Sequence, residues 1–234
     1  MRLSIIIATL NEAPRIATTL AAVRMTDPEA EVIVVDGGSR DGTARVARQA
    51  GARVLTASRG RGAQLAAGAK AASGDVLVFL HADTSFPLGA PLALRRALRD
   101  PRVIGGNFRV VFEDGGGADD FARWLTGFYA WFRHKGLYYG DSVMFLRRAV
   151  YQELGGFRPI ALMEDYDLNR RMERRGGTVC IEEPPVVTSA RRFAGRRPAA
   201  IFCQWLLLHA LYYLHLPPPL LAWLYDSERH RTAS

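Results

Sequence analysis

Two continuously apolar segments of this chain end in acidic residues. Residues 32–35 run into Asp36, and residues 76–80 run into His81, with Asp83 two positions later. A segment that is apolar at every position is typical of a strand buried on both faces, as in parallel sheets covered by helices. Ligands of such sheets bind just beyond the carboxyl ends of the strands. The two segments therefore predict an α/β fold with carboxylates at the binding edge of its sheet.

The first 80 residues alternate between strand and helix patterns. Predicted strands cover residues 3–8, 31–35, 53–56 and 76–80, and predicted helices between them cover residues 11–24, 41–50 and 64–72. Asn11 and Asp41 stand where the N-caps of the first two helices are expected. Because strand–helix–strand units form right-handed crossovers, this half predicts a mostly parallel sheet with helices on both faces.

The second half has a less regular pattern. Helices are expected at residues 92–99, 121–132 and 165–174, and strands at residues 103–112, 143–146 and 178–181. The 234 residues suffice for one sizeable core, and no repeat or low-complexity linker divides them. We therefore expect one domain over residues 1–197 and a helical tail over residues 198–234.

Arginine dominates the charge of the chain, whose formal net value is +8. Guanidinium groups form forked hydrogen bonds with phosphate, so this excess suits nucleic acid, an anionic membrane surface or a phosphorylated substrate. A genome that favours arginine codons is the alternative explanation. Cys180 and Cys203 form neither a metal-ligand spacing nor a disulfide framework, and apolar residues 3–10 are too short for a signal peptide. These features predict a cytoplasmic protein.

The tail contains a long segment without charge, residues 199–225. Prolines at residues 217–219 divide it into two shorter helices, and Gln204, His209 and His215 would be costly at bilayer depth. Arginines precede the segment, which favours contact with an anionic surface. Three interpretations stay open: a helix docked on the domain, a helix lying on the inner face of the cell membrane, and a true membrane span.

Two groups of side chains are suited to a diphosphate and its counter-ion. Arg59 and Arg61 open a predicted helix, where backbone amides and guanidinium groups can hold a pyrophosphate; a solvated basic loop is the alternative. His81 and Asp83 share one side of an extended segment, and a carboxylate together with a diphosphate can hold Mg²⁺ or Mn²⁺. A turn residue is the alternative interpretation of Asp83, and His81 is either a ligand, a donor to a ligand or a packed residue.

A third acidic group lies at residues 163–167, where a helix is expected to begin. Carboxylates there interact favourably with the helix dipole, but three acids in four positions exceed what capping requires. A general base must stay ionised near neutral pH and reach the hydroxyl that it deprotonates. Asp165 is the strongest candidate for such a base and Glu164 the second.

The ordered set of these motifs resembles glycosyltransferase family 2, which has the GT-A fold. The resemblance covers about residues 3–195 and rests on residues 4–12 (SIIIATLNE), 35–43 (VDGGSRDGT), 80–83 (LHAD), 155–157 (GGF) and 164–165 (ED). It implies a Rossmann-like central sheet, a nucleotide-sugar half over residues 1–107 and an acceptor half over residues 108–197. The His-Ala-Asp variant and residues 139–141 and 188–192 are similar to a small bacterial subgroup, the arsenosugar-biosynthesis type.

The resemblance also implies a role for each matching residue. Asp165 resembles the catalytic base, with Glu164 beside it, and Asp83 resembles the last acid of the metal-binding D-x-D motif, whose first acid is His81 here. Eight residues are implied to bind the nucleotide sugar: Thr9, Asn11, Glu12, Asp36, Gly38, Arg61, Ala82 and Arg192.

The sequence thus predicts an inverting transfer of sugar from a nucleoside-diphosphate donor, UDP-type favoured, to an acceptor hydroxyl with Mn²⁺ or Mg²⁺. The acceptor is either lipid-linked or a small molecule, and no nucleic acid is expected as a partner. One alternative is a sugar nucleotidylyltransferase, although residues 8–12 lack the Gly-rich basic loop of that chemistry. The other is a catalytically silent protein that binds ligands or docks on a membrane.

Overall fold

A computed structural model describes residues 1–113, 119–134, 136–160, 162–190, 198–214 and 216. Eight strands form one sheet in the order β3-β2-β1-β4-β7-β6-β8-β5. The strands are β1 (Leu3–Thr9), β2 (Glu31–Asp36), β3 (Arg53–Thr56), β4 (Val76–His81), β5 (Thr84–Ser85), β6 (Gly105–Glu113), β7 (Met144–Arg147) and β8 (Thr178–Ser189). The helices are α1 (Ala13–Thr26), α2 (Thr43–Gln49), α3 (Arg61–Ala71), α4 (Ala90–Ala97), α5 (Asp119–His134), α6 (Arg148–Glu153), α7 (Glu164–Arg175) and α8 (Pro198–Tyr213), with a 3₁₀ turn at Gly140–Ser142.

The parallel half of the sheet brings the two acidic strand ends to one edge. Strand β1 pairs in parallel with β2 and β4, so that Thr9 lies beside Asp36 and Ala8 beside His81. Four of the seven strand pairings are parallel, and β7 runs antiparallel to both of its neighbours. The predicted α/β architecture with a mostly parallel sheet is therefore confirmed.

Helices cover both faces of this sheet because successive side chains of a strand point to opposite sides. Ile5 and Ile7 of β1 belong to the core that includes α1, whereas Ile6 belongs to the core beneath α3. Helix α3 lies unusually close to the strands at Gly68, where a Cβ atom would overlap the Ile6 side chain. This contact places the first turn of α3 directly above the edge where β1 and β4 end.

The second half of the sheet differs from the sequence prediction in length and detail. Strand β8 extends to Ser189 instead of ending at residue 181, and the predicted boundary after residue 107 falls within β6. Strand β8 continues through Pro184 and Pro185 in an irregular stretch: residues 182–185 lie between the pairing of Ile181 with Phe108 and that of Val186 with Val110. Tight pairing of these strands also needs Gly106, since a Cβ there would overlap the carbonyl oxygen of Val179.

The prediction that Asn11 caps α1 is wrong. Asn11 has a φ of 56°, and its side-chain oxygen accepts a hydrogen bond from the backbone amide of Arg40 at 2.9 Å. The backbone amides at the start of α1 instead donate to side chains at the start of α2: Glu12 donates to the Thr43 hydroxyl at 2.8 Å, and Ala13 donates to the Asp41 carboxylate at 3.0 Å. These hydrogen bonds link the connection between β1 and α1 to the connection between β2 and α2.

Helix α8 packs against the domain with one face. Trp205 stacks on Phe128 of α5 with ring centroids 5.2 Å apart, and the hydroxyls of Tyr213 and Tyr166 lie 2.7 Å apart. In the part of the chain that the structure describes, no helix is both long and apolar enough to cross a membrane. The second predicted helix of the tail, after the prolines at residues 217–219, lies outside the described residues.

Candidate active site

A cavity of about 700 Å³ opens at the carboxyl edge of the parallel strands. Its floor is formed by the ends of β1 and β4, and its sides by the first turns of α3 and α7, the 3₁₀ turn and α8. The predicted site residues in its lining are Thr9, Glu12, Arg61, His81, Ala82, Asp83, Glu164 and Asp165. Segments that are distant in the sequence therefore meet in one concave site of the size that small-molecule ligands require.

Arg61 lies at the centre of this cavity and contacts three predicted site residues. Its Nε donates to Glu164 at 2.5 Å, its Nη2 donates to Asp165, and its Nη1 lies 2.8 Å from Nε2 of His81. Burial lowers the pKa of the guanidinium, but the charges of Asp165 and Glu164 outweigh it and raise the pKa well above its usual value. Arg61 therefore carries a permanent positive charge between the two candidate bases.

Asp165 is buried at the start of α7, with a side chain fixed on both oxygens. One oxygen accepts the backbone amide of Gly140 at 2.8 Å as well as Arg61, and the other accepts the amide of Tyr166 at 2.7 Å. Burial raises the pKa of Asp165, but the charge of Arg61 and the Gly140 hydrogen bond lower it below its usual value. The carboxylate is thus ionised in this state, with its proton affinity reduced by Arg61.

His81 ends β4 and lies between Arg61 and Asp141. Its Nδ1 lies 3.1 Å from Asp141, whose other carboxylate oxygen accepts the Tyr129 hydroxyl at 3.0 Å. Asp141 belongs to the 3₁₀ turn and is 4% exposed. The neighbouring Gly140 packs so closely that an added Cβ would lie 2.9 Å from Nε2 of His81.

His81 and Asp83, the two residues that the sequence predicts as holding a cation, both line this cavity. No cluster of three or more histidine, cysteine or acidic side chains suited to a metal ion occurs among the described residues. Two protein ligands fit an ion that takes its remaining ligands from phosphate oxygens and water. The pairing of an imidazole nitrogen with a carboxylate suits Mn²⁺ better than Mg²⁺, which prefers oxygen.

The loop after β2 occupies a different position from the cavity lining. Oxygens of the Asp36 carboxylate accept the backbone amides of Gly38 at 3.1 Å and Ser39 at 2.9 Å, and the Ser39 hydroxyl at 2.5 Å. Asp36 therefore holds its own turn, the arrangement that a turn-forming aspartate favours. Asn11, Asp36 and Gly38 are not among the residues that line the cavity, and Arg192 lies outside the described residues.

Several lining residues were not predicted as site residues. Gln64 is buried, and its amide donates to the carbonyl oxygens of Thr9 and Val35, each at 2.8 Å, which ties α3 to the strand ends. Asp141 lies in the segment 139–141 that the resemblance includes, but no helix, strand or metal-ligand spacing marked it as a site residue. The aromatic wall formed by Tyr129, Tyr139, Trp205 and His209 could only be found once the position of α8 was known.

Helix α8 closes one side of the cavity through this wall. His209 donates from Nδ1 to the Trp205 carbonyl at 2.7 Å, so its Nε2 accepts the Tyr139 hydroxyl at 2.9 Å. Burial lowers the pKa of His209, which keeps the imidazole neutral. Aromatic faces beside a polar pocket are suited to the apolar face of a sugar or to an apolar acceptor.

Comparison with known proteins identifies the family of this chain. The model described as Glycosyl transferase family 2 matches residues 4–155. A dolichyl-phosphate hexose transferase of Haloferax volcanii is 38% identical over 88 residues, and this match spans 37% of the present chain and 38% of the relative. The match is thus to well under two thirds of that protein.

Solved structures share the architecture at low sequence identity. Glucosyl-3-phosphoglycerate synthase from Mycobacterium tuberculosis, crystallised with Mn²⁺, UDP and glucosyl-3-phosphoglycerate, has a TM-score of 0.61 and 21% identity over 92% of this chain and 80% of its own. A mannosyltransferase from Pyrobaculum calidifontis, crystallised with GDP-Man and Mn²⁺, has a TM-score of 0.61 and 22% identity over 95% of this chain and 69% of its own. These likenesses establish the fold, and the family match over residues 4–155 shows that the chain belongs to glycosyl transferase family 2.

Proposed function

We propose that this protein transfers a sugar from a nucleoside-diphosphate donor to an acceptor hydroxyl, with inversion at the anomeric carbon. The observation that carries the proposal is the buried, ionised Asp165 facing a 700 Å³ cavity beside a permanently charged arginine. A direct displacement needs a base for the acceptor and a cation for the leaving group, and Asp165 and Arg61 supply these two properties in contact with each other.

In the proposed reaction, Asp165 takes the proton of the acceptor hydroxyl while the hydroxyl oxygen bonds to the anomeric carbon. The bond from that carbon to the diphosphate oxygen breaks, and the diphosphate departs from the opposite face, which inverts the configuration. Arg61 and Glu12 line the same cavity, and we place the diphosphate next to Arg61. When Arg61 turns from Asp165 to the diphosphate, the pKa of Asp165 rises and the carboxylate becomes a better base.

We assign His81 and Asp83 to a divalent cation that accompanies the donor, with Mn²⁺ preferred. Such an ion neutralises charge on the departing diphosphate. Thr9, Ala82 and the loop held by Asn11, Asp36 and Gly38 are assigned to the nucleoside, and UDP is the proposed nucleotide. The two solved structures above were crystallised with UDP or with GDP-Man, which makes nucleotide choice a direct question for experiment.

We further propose that the acceptor is carried by a membrane lipid. The relative from Haloferax volcanii is named for transfer to dolichyl phosphate. Helix α8 lines the cavity with Trp205 and His209, while it exposes Leu206 and Leu207 to solvent. One helix thus combines a wall of the site with an uncharged apolar surface, as peripheral membrane contact requires.

The Asp165→Asn variant tests the central assignment. With UDP-, GDP- and dTDP-sugars and Mn²⁺, native protein should release the nucleoside diphosphate from the UDP-sugar fastest and form a product of inverted anomeric configuration, as read by NMR. Asp165→Asn should lower the transfer rate by about 10²-fold or more, because the base is lost, and keep the affinity for UDP within a few-fold.

Glu164→Gln is the matched control, since it neutralises the adjacent acid at the same arginine. It should reduce transfer less than Asp165→Asn does. Transfer at the native rate by Asp165→Asn would overturn the assignment of the base and would favour a phosphate acceptor, which is already ionised and needs none. Absence of UDP binding with and without Mn²⁺ would favour a catalytically silent protein.

A further inference from the structure

His81 lies between two groups whose hydrogen-bonding roles are fixed. The guanidinium of Arg61 can only donate, and its Nη1 lies 2.8 Å from Nε2 of His81. The carboxylate of Asp141 accepts, and its Oδ1 lies 3.1 Å from Nδ1. Nε2 must therefore carry the lone pair and Nδ1 the proton. The arrangement fixes one neutral tautomer, whose Nε2 lone pair faces Arg61.

Asp141 is itself held in place. It is 4% exposed, and Tyr129 donates to its second oxygen at 3.0 Å. The 3₁₀ turn that carries it can approach His81 only because Gly140 has no side chain, since a Cβ there would lie 2.9 Å from Nε2. The turn, the tyrosine and the carboxylate thus form a rigid support behind the imidazole.

We propose that Asp141 is a positioning residue that makes His81 a ligand of the divalent cation used with the donor. The inference rests on the proposed function, in which the cation occupies the site beside Asp83. A carboxylate that accepts a hydrogen bond from the far nitrogen of a histidine fixes its tautomer and increases the basicity of the ligating nitrogen. The carboxylate of Asp141 would thereby place a negative charge behind the histidine ligand without binding the ion itself.

Arg61 uses the same lone pair of His81 that the cation would use. Its guanidinium must therefore leave Nε2 before a metal ion can bind there. Nη2 of the same guanidinium contacts Asp165, so we expect one movement of Arg61 to free both groups. Binding of the cation with the donor and release of the base are consequently linked through a single arginine.

Mn²⁺ affinity measured in the presence of UDP tests the role of Asp141. Asp141→Asn should weaken Mn²⁺ binding by about tenfold or more, the usual effect of losing such a carboxylate. His81→Gln should weaken it at least as much, and the double variant should bind no worse than His81→Gln alone, because Asp141 acts through His81. Tyr129→Phe leaves Oδ1 on the imidazole and should cost less than Asp141→Asn.

Nitrogen-15 NMR of the five histidines gives a second measurement that requires no metal. The His81 signal, identified by its loss in His81→Gln, should report protonated Nδ1 in the native protein and in Arg61→Met, where Asp141 still accepts from Nδ1, and a mixture of tautomers in Arg61→Met with Asp141→Ala. Circular dichroism checks that each variant is folded.

The outcomes separate this inference from the proposed function. If native protein binds no Mn²⁺ with UDP, the metal assignment and this inference fail together, whereas the transfer reaction is tested independently by Asp165→Asn. If native protein binds Mn²⁺ and Asp141→Asn binds it within twofold of native affinity, or the two substitutions act additively, only the role of Asp141 is overturned. Protonated Nε2 in native protein would overturn it as well.

Discussion

Arg61 is the residue on which the electrostatics of the cavity depend. It neutralises Glu164 and Asp165 and contacts His81, yet its side chain is 32% exposed and can reach the open volume of the cavity. Two buried carboxylates this close together would each favour protonation without a cation between them. One arginine therefore sets both the charge state of the candidate base and the access to the candidate metal ligand.

Removing this cation should change the pH dependence of stability. Native Asp165 has a lowered pKa, so it contributes stability above its ordinary value of 3.8 that is lost as the pH falls through the lower folded value. In Arg61→Met, Asp165 would lose the charge that keeps its pKa low, so its ionised form would destabilise the fold. At pH 7 this variant should lose about 2–3 kcal/mol of unfolding free energy, and the loss should shrink as the pH approaches 4.

Urea unfolding between pH 4 and pH 7 measures this convergence. Arg109→Met is the matched control because Arg109 pairs at 2.6 Å with Glu183, whose side chain is 74% exposed. The Glu183 carboxylate stays hydrated when the arginine is removed. The unfolding free energy of Arg109→Met should therefore differ little from that of native protein at any pH. A loss in Arg61→Met that is constant with pH would contradict the electrostatic role of Arg61.

The sequence indicated which residue types belong to the site but not how they are connected. The apolar strands predicted the edge at which His81 and Asp83 lie, and helix patterns placed Arg61 and Glu164 at helix starts. Asp141 could not be found in this way, since its role arises from contacts with a strand more than fifty residues earlier. The roles proposed for Asp36 and Gly38 stay predictions. The Asp36 carboxylate accepts the backbone amides of Gly38 and Ser39 within one turn, and neither Asp36 nor Gly38 lines the cavity.

At the level of elements, local patterns predicted most helices and the buried strands. They missed β5 and α6, which are two and six residues long, because so few residues carry no clear period. They also shortened β8, since two prolines usually end a strand. In each case the secondary structure depends on contacts with residues distant in the sequence, which a local pattern does not contain.

Close pairing of β6 with β8 gives a prediction about glycine. Gly106→Ala should destabilise the protein by about 3 kcal/mol or more, because the new methyl group meets the backbone of Val179 and neither strand can yield without breaking ladder bonds. Gly127→Ala is the matched control, since no atom lies within 4 Å of its Cβ position inside α5. It should increase stability by up to about 1 kcal/mol through helix propensity.

Thermal and urea unfolding of the two alanine variants checks this contrast. Equal effects at Gly106 and Gly127 would show that the spacing of β6 and β8 tolerates a side chain. Both substitutions add the same atoms, so composition alone cannot account for a difference between them.

At the scale of the whole molecule, α8 lines the cavity and also exposes apolar side chains to solvent. Leu206 and Leu207 are 61% and 52% exposed, and Trp131 of the neighbouring helix α5 is 56% exposed. Together with a net charge of +8, this surface is suited to anionic lipid. A lipid-borne acceptor could then reach the cavity past Trp205 without leaving the membrane surface.

Vesicle sedimentation tests this orientation. Native protein should bind vesicles containing phosphatidylglycerol at low salt and bind less as salt rises. The double variant Leu206→Gln with Leu207→Gln should bind at least about tenfold more weakly, because both side chains would otherwise leave water. Leu88→Gln with Leu92→Gln is the matched control, with residues 71% and 57% exposed elsewhere. Equal losses in the two double variants, or no binding by native protein, would contradict the proposal.

The strand order of the sheet has a consequence for biosynthesis. Strand β6 lies between β7 and β8, and both are later in the chain than β6 itself. On the ribosome, β1 to β4 can pair with one another as they emerge, whereas β6 emerges with neither neighbour made. Its apolar residues and unpaired backbone amides are then open to other nascent chains. We expect this nine-residue strand to be the segment of the nascent chain that most needs protection by chaperones.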